Sequence, residues 1–196
     1  MAAAVVAAEA GARDIVVLEK AAEPGGNTAL SAGLFAVGSP AQERKGIEVS
    51  ADEVFREKMA YANWRVDPTL TRVCIDRSGE IVRWLEAKGM QFDSVIEFLR
   101  EGEAPKVFHL FSPGPSGFIG KRIIDTLAEE SRAHGVRMLA GATAGRLIVD
   151  ARGSIVGLSA TCGDDGRVQS RLQPAVGRGQ DPRQLWTQHH QVDILE

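Results

Sequence analysis

Chemistry-bearing residues crowd one stretch, VVLEKAAEPGGNTALSAG, which runs from Val16 to Gly33. A β-branched run ends at a carboxylate, Glu19, and a Pro24-Gly25-Gly26 loop follows. An acid at the tip of the second strand of a dinucleotide-binding fold accepts hydrogen bonds from the adenosine ribose hydroxyls. A glycine pair lets the backbone approach a ligand closely and turns N–H groups toward an anion. Asn27, Thr28 and Ser31 add an amide and two hydroxyls, and Gly33 leaves room beside whatever lies there. Taken singly, Glu19 also reads as a solvated surface acid, and the glycine pair as a plain loop. Taken together within one βα unit they point to a nucleotide cofactor.

The elements that must position these groups are legible by pattern. Residues 2–11 are alanine-rich and end at Gly11, a helix with a glycine stop. Ile15 to Leu18 is a short apolar run, as in a strand of a parallel sheet buried on both faces. Helix followed at once by buried strand is the second half of a βαβ unit. Ser50-Ala51-Asp52-Glu53 fits a capping box and opens a helix to about Ala62. Asp67-Pro68 starts another, in which Leu70, Val73, Cys74, Ile81, Val82 and Leu85 form a core-facing stripe ended by Gly89. A third helix spans Gly117 to His134, with Ile119, Ile123, Ile124 and Leu127 inward and Gly135 as its stop. Residues 146–149 and 155–158 flank Asp150-Ala151-Arg152-Gly153 as a hairpin, and Gly163-Asp164-Asp165-Gly166 leads to a strand near Val168. After Gln169 no periodicity remains, which reads as a poorly ordered tail over 169–196.

Composition narrows the function classes. The chain has 196 residues, 44% hydrophobic and 25% charged, the balance of a soluble globular protein. A formal charge of −3 offers no basic excess to neutralise phosphates, which argues against a nucleic-acid partner. No apolar run reaches the length of a membrane span, and the N-terminus lacks a secretory pattern, so a cytoplasmic location is expected. Cys74 and Cys162 read as two buried, reduced thiols. His189-His190 has no second ligand pair at a useful spacing, so no metal site is assigned.

LEKAAEPGGNTALSAG resembles the second-strand segment of the fumarate reductase and succinate dehydrogenase flavoprotein family. That family also includes 3-ketosteroid dehydrogenases and tricarballylate dehydrogenase-like enzymes. Its pattern here is a strand ending LEK, a short loop, then GGNT-x-x-S/A-x-G. Looser similarity continues through Gln42, Gly46-Ile47, Asp67-Pro68, Trp84-Leu85-Glu86-x-x-Gly89, Gly120, Gly135 and the Thr143 to Ala160 hairpin. The resemblance implies an α/β fold: a partial Rossmann-like FAD-binding domain over 1–168, lacking its first strand, with a helical segment and a β-hairpin or meander. It implies FAD as cofactor, with Glu19 on the ribose and Lys20 beside it. Gly25, Gly26, Asn27 and Thr28 would line the pyrophosphate and ribityl region, Ser31 and Gly33 would lie near the isoalloxazine, and the backbone at Ala144 near the adenine. The implied reaction is hydride transfer between flavin and a carbon–carbon bond next to a carboxylate or ketone, on a small dicarboxylate or enone-like substrate. A 3-ketosteroid dehydrogenase-like desaturase is the alternative enzyme.

Departures from the family pattern matter as much. The family opens with a strand and G-x-G-x-x-G immediately ahead of residues resembling Met1-Ala2-Ala3, and neither is in this sequence. An A-T-G-G-like turn expected after the hairpin is missing beyond Gln169. The family's substrate-clamping residues and arginine proton donor lie further along its chain, so no catalytic residue is assigned. His109 does not match the family's substrate-binding histidine and reads as a packed or surface residue. An inactive, truncated fragment without bound cofactor is therefore a second reading, and a nucleotide-binding module without redox chemistry a third. A parallel sheet without its middle strand is also expected to dissolve poorly and self-associate through its open edges.

Overall fold

The computed structural model describes residues 1–97, 106–112, 120–162 and 166–171. In chain order these form α1 (Ala2–Glu9), β1 (Val16–Glu19), a 3₁₀ turn (Gly26–Leu30), β2 (Gly33–Phe35), α2 (Pro40–Arg44), α3 (Ala51–Tyr61) and α4 (Pro68–Ala87). There follow β3 (Phe92–Glu97), β4 (Lys106–Phe111), α5 (Lys121–Ala133), β5 (Arg137–Ala140), β6 (Ala142–Val149), β7 (Ile155–Cys162) and β8 (Gly166–Arg171). The chain divides into two compact units: Met1–Pro24 with the residues from Leu127 on, and Gly25–Thr126.

In the first unit, α1 buries Ala4 and Val5. It ends where Gly11 turns to φ +92° and donates its N–H to the Ala8 carbonyl. Then comes β1, parallel to β5, with Val16 opposite Arg137 and Glu19 opposite Ala140. Its residues are half-buried, not enclosed on both faces as the apolar run suggests, because β5 is its one neighbour among the described residues. The strand β5 itself is too short and too mixed in character to stand out in the sequence. A three-stranded antiparallel meander, β6-β7-β8, completes the unit. At the β6–β7 turn the Asp150 carboxylate accepts the N–H groups of Arg152 and Ser154 at 2.8 and 2.9 Å. These bonds to the charged form, Ser154 first, hold its pKa below the usual carboxylate value. Strand β8 continues to Arg171, two residues past the start of the tail expected at 169; residues 172–196, His189 and His190 among them, lie outside the described residues.

The second unit holds an antiparallel sheet, β2-β4-β3, that sequence patterning does not disclose. Val37, Val54, Ile75 and Val107 form its core, with Phe35, Val49 and Phe55 packed against them. Local rules set the helix starts as expected. The Ser50 hydroxyl accepts the Glu53 N–H, and the Asp67 carboxylate accepts the Leu70 N–H at 2.9 Å ahead of Pro68. Asp67→Ala should therefore lower the unfolding free energy by about 1 kcal/mol, read from urea denaturation.

The packing face of α4 differs from the expected stripe. Leu70, Val73, Cys74 and Ile81 are exposed, while Ile75, Ser78, Gly79, Val82 and Leu85 are buried. Cys74 is thus a surface thiol and Cys162 a half-buried one, not the two buried thiols expected. The physical reason is that close approach to main chain, and not apolarity alone, selects this face. A Cβ on Gly79 would lie 2.4 Å from the Gly38 carbonyl oxygen and 2.6 Å from that of Val37. Beside it the Ser78 hydroxyl accepts the Val37 N–H at 2.9 Å and donates to the Ile75 carbonyl at 2.7 Å. The helix therefore lies directly on main chain, where a bulky residue has no room. The last helix is α5, shorter than the 117–134 span expected; Gly120 sits in the turn before it, and Ile119 lies outside the described residues. Of its expected inward residues, Ile124 and Leu127 are buried and Ile123 is half-buried.

Candidate functional site

In the first unit the candidate groups stand at the carboxyl end of the parallel pair, where open α/β sheets receive their ligands. Glu19 is the last residue of β1 and lies opposite Ala140, the last of β5. One carboxylate oxygen of Glu19 accepts the Ala21 N–H at 2.8 Å. The Ala21 carbonyl in turn accepts the Gly141 N–H at 3.0 Å, which ties this bend to the end of β5. The carboxylate is thus oriented by its own loop while the side chain stays partly open to solvent. Lys20 is exposed next to it. Ala144 is an exposed residue of β6, four residues after Ala140, at a register irregularity between Ala144 and Leu147. In that bulge the Arg146 N–H donates to the Ser159 hydroxyl at 2.9 Å. No pattern in the sequence discloses β5 or Gly141, the two features that fix where Glu19 stands.

In the second unit, Gly25, Gly26, Asn27, Thr28 and Ser31 make one 3₁₀ turn and its flanks. Gly25 and Gly26 have φ of +153° and +52°, backbone that only glycine adopts readily. No side chain caps the start of the turn, so its leading N–H groups are left without a side-chain acceptor. Space is open where a Cβ on Gly26 would stand. Asn27 and Thr28 are exposed beside it. Ser31 closes the turn instead: its N–H and its hydroxyl both donate to the Thr28 carbonyl, at 3.1 and 2.7 Å. Gly33 opens β2 opposite Leu110, and a Cβ there would lie 2.1 Å from the His109 carbonyl oxygen. Strand packing by itself thus accounts for the glycine at 33.

The tempting histidine is fully buried. His109 Nδ1 lies 3.1 Å from the Val107 carbonyl and so carries the proton, and Nε2 accepts from the Ser39 hydroxyl at 2.5 Å. Ser39 also caps α2: its oxygen accepts the Gln42 N–H, and the Gln42 side chain returns to the Ser39 N–H. The Gln42 amide then donates to the Lys106 carbonyl at 2.7 Å. Burial pushes the imidazole pKa below its ordinary 6.5, against the opposing pull of the Val107 carbonyl and the Glu86 charge. With no exposed face, His109 is a packed residue that joins β4 to α2.

Each unit, taken by itself, offers a group suited to one polar part of a dinucleotide: the Glu19 carboxylate in the first and the Gly25–Ser31 turn in the second. Open main chain without a side-chain cap suits phosphate oxygens, and a carboxylate with an oxygen outside its loop bond suits ribose hydroxyls. Among the described residues no group of three or more His, Cys, Asp or Glu could hold a metal ion, and no helix is long and apolar enough to cross a membrane.

Comparisons with known proteins agree with that chemistry. Residues 1–180 match the family described as the FAD binding domain. The chain is 33% identical over 158 residues to the vinyl phenol reductase of Lactiplantibacillus plantarum, covering 80% of this chain and 30% of that protein. A flavocytochrome c3 fumarate reductase in its open conformation superposes with a TM-score of 0.67 at 28% identity, over 80% of this chain and 27% of that one. The 3-ketosteroid-Δ4-(5α)-dehydrogenase of Rhodococcus jostii RHA1 gives a TM-score of 0.75 at 24% identity, over 87% of this chain and 41% of the other, which shows a shared fold. This chain spans less than a third of the length of the vinyl phenol reductase it matches. With the strand-tip carboxylate, the open diglycine turn and a family match over most of its length, the chain belongs to the FAD-binding-domain family of fumarate reductase and succinate dehydrogenase-like flavoproteins.

Proposed function

We propose that this chain holds FAD for a flavin-dependent oxidoreductase that moves hydride between the flavin and a carbon–carbon bond next to a carboxylate or ketone. The match of residues 1–180 to the FAD binding domain family carries this reading. The vinyl phenol reductase and the flavocytochrome c3 fumarate reductase are both reductases by name, which supports the reaction class and a small unsaturated substrate. FAD, when bound, supplies the hydride chemistry; the protein's part is to bind it and orient it.

In this reading Glu19 accepts hydrogen bonds from the adenosine ribose, with its orientation already set by the Ala21 N–H. Lys20 adds a cation beside that acid. Gly25, Gly26, Asn27 and Thr28 present main-chain N–H groups and polar side chains to the pyrophosphate and ribityl chain. Ser31 and Gly33 border the isoalloxazine, and the Ala144 backbone meets the adenine.

Titration with FAD, followed by absorbance near ~450 nm and by quenching of flavin fluorescence, tests the reading. Saturable, stoichiometric uptake by the purified chain is the expected result. Glu19→Gln keeps an acceptor for the Ala21 N–H but removes the charge, so FAD affinity should fall about tenfold, the worth of one charge-assisted hydrogen bond. ADP should compete only weakly if the flavin end contributes to binding. A chain that takes up no FAD, or that binds ADP and FAD alike, refutes the oxidoreductase reading.

A further inference from the structure

Gly120 is buried in the turn that immediately precedes α5. A Cβ built on it would stand 2.3 Å from the Ser31 carbonyl oxygen and 2.6 Å from those of Ala29 and Thr28. All three are main-chain atoms of the Gly26–Leu30 turn and its C-terminal flank. Side-chain tips swing aside when crowded; carbonyls inside a closed turn do not. Ser31 locks this one through its two bonds to the Thr28 oxygen.

We propose that Gly120 is a positioning residue for the flavin: by lacking a side chain it lets the main chain at its own position seat the Gly26–Leu30 turn, so that the N–H groups at the other end of that turn meet the cofactor. The proposal rests on the FAD reading of that turn. Cβ atoms essentially never come within 3.0 Å of such neighbours, and the nearest here would stand at 2.3 Å. A methyl at 120 must therefore part the turn and the main chain at 120 by about 0.7 Å. Because the turn is closed on itself, its N-terminal groups move with its carbonyls. Displacements of that size are enough to spoil hydrogen bonds to a bound ligand.

The test uses the full chain with Gly120→Ala, and Gly89→Ala as its control. Gly89 lies in the same unit at φ +83° with nothing near its Cβ position, so that change strains backbone without touching the turn. Two quantities are read: the Kd for FAD, and amide hydrogen exchange of residues 26–31 without FAD. Gly120→Ala should weaken FAD binding about tenfold and speed exchange at residues 26–31, leaving the amides of α3 and α4 unchanged. Gly89→Ala should leave both the Kd and the exchange of the turn as in the wild type. Unaltered FAD affinity in Gly120→Ala overturns the proposal. Faster exchange throughout α3 and α4 also overturns it, since Gly120 would then be holding the core and not the turn. A wild-type chain that binds no FAD removes the flavin reading and this proposal with it, whereas exchange at residues 26–31 separately reports whether Gly120 holds the turn.

Discussion

Gly33→Ala should lower the stability of the second unit by about 3 kcal/mol, measured by urea denaturation with no flavin present. The added methyl would lie 2.1 Å from the His109 carbonyl oxygen, 2.9 Å from its carbon and 3.1 Å from the Leu110 Cα. Two effects oppose each other. Replacing glycine narrows the unfolded ensemble and favours strand, a gain of roughly 0.4–1 kcal/mol. Forcing a group into occupied backbone costs about 1–3 kcal/mol, and more where the neighbour cannot yield. Here it cannot, because β4 is the central strand and is held on its other side by β3, with Val95 opposite His109 and Phe92 opposite Phe111. The clash wins. An unchanged urea midpoint joined to lost FAD binding would instead show that position 33 is kept small for the ligand alone.

Replacing His109 by leucine should remove ~2 kcal/mol at pH 7.5, since the Ser39 hydroxyl loses its acceptor and the Val107 carbonyl loses one of its two donors, keeping the Ala36 N–H. Phe92, which meets the imidazole edge-on at 5.8 Å, loses that contact too. The pH dependence is more diagnostic. Burial holds the folded imidazole below its ordinary pKa of 6.5. Above that value both folded and unfolded chains are neutral at this site, and its contribution to stability is complete. As pH falls below 6.5 the unfolded chain takes up a proton that the folded chain refuses. Stability then declines by at most about 1.4 kcal/mol per pH unit until the folded pKa is reached. The wild type should thus lose more of its urea midpoint between pH 7.5 and 5.5 than His109→Leu does. Equal slopes would mean that His109 is not held neutral by its surroundings.

Both expectations concern strands absent from a reading of the sequence, and the omission has a cause. Local chemistry declares itself locally. Ser50 and Asp67 announce helix starts because the bonds they accept come from three residues ahead. Gly11 and Gly135 announce helix ends because a positive φ is a property of one residue. The hairpin at Asp150 is legible for the same reason. Pairings between distant residues leave no such trace. Nothing near Arg137–Ala140 names Val16–Glu19 as its partner, and Lys106–Phe111 does not alternate in a way that marks a central strand. Ser39-Pro40-Ala41-Gln42 was a visible S-x-x-Q capping box whose helix is only five residues long.

The sequence determined the family and its cofactor, because the residue types and spacing of one short run, Glu19 to Thr28, survive whatever surrounds them. It also fixed where most helices begin and end. Tertiary structure alone decided which face of α4 is inner, choosing Ser78 and Gly79 over Leu70 and Ile81. It alone buried His109 against Ser39, and it alone set Gly33 and Gly120 against main-chain carbonyls. The physical reason is that composition ranks residues by affinity for water, whereas close approach of backbone to backbone depends on which distant segment arrives.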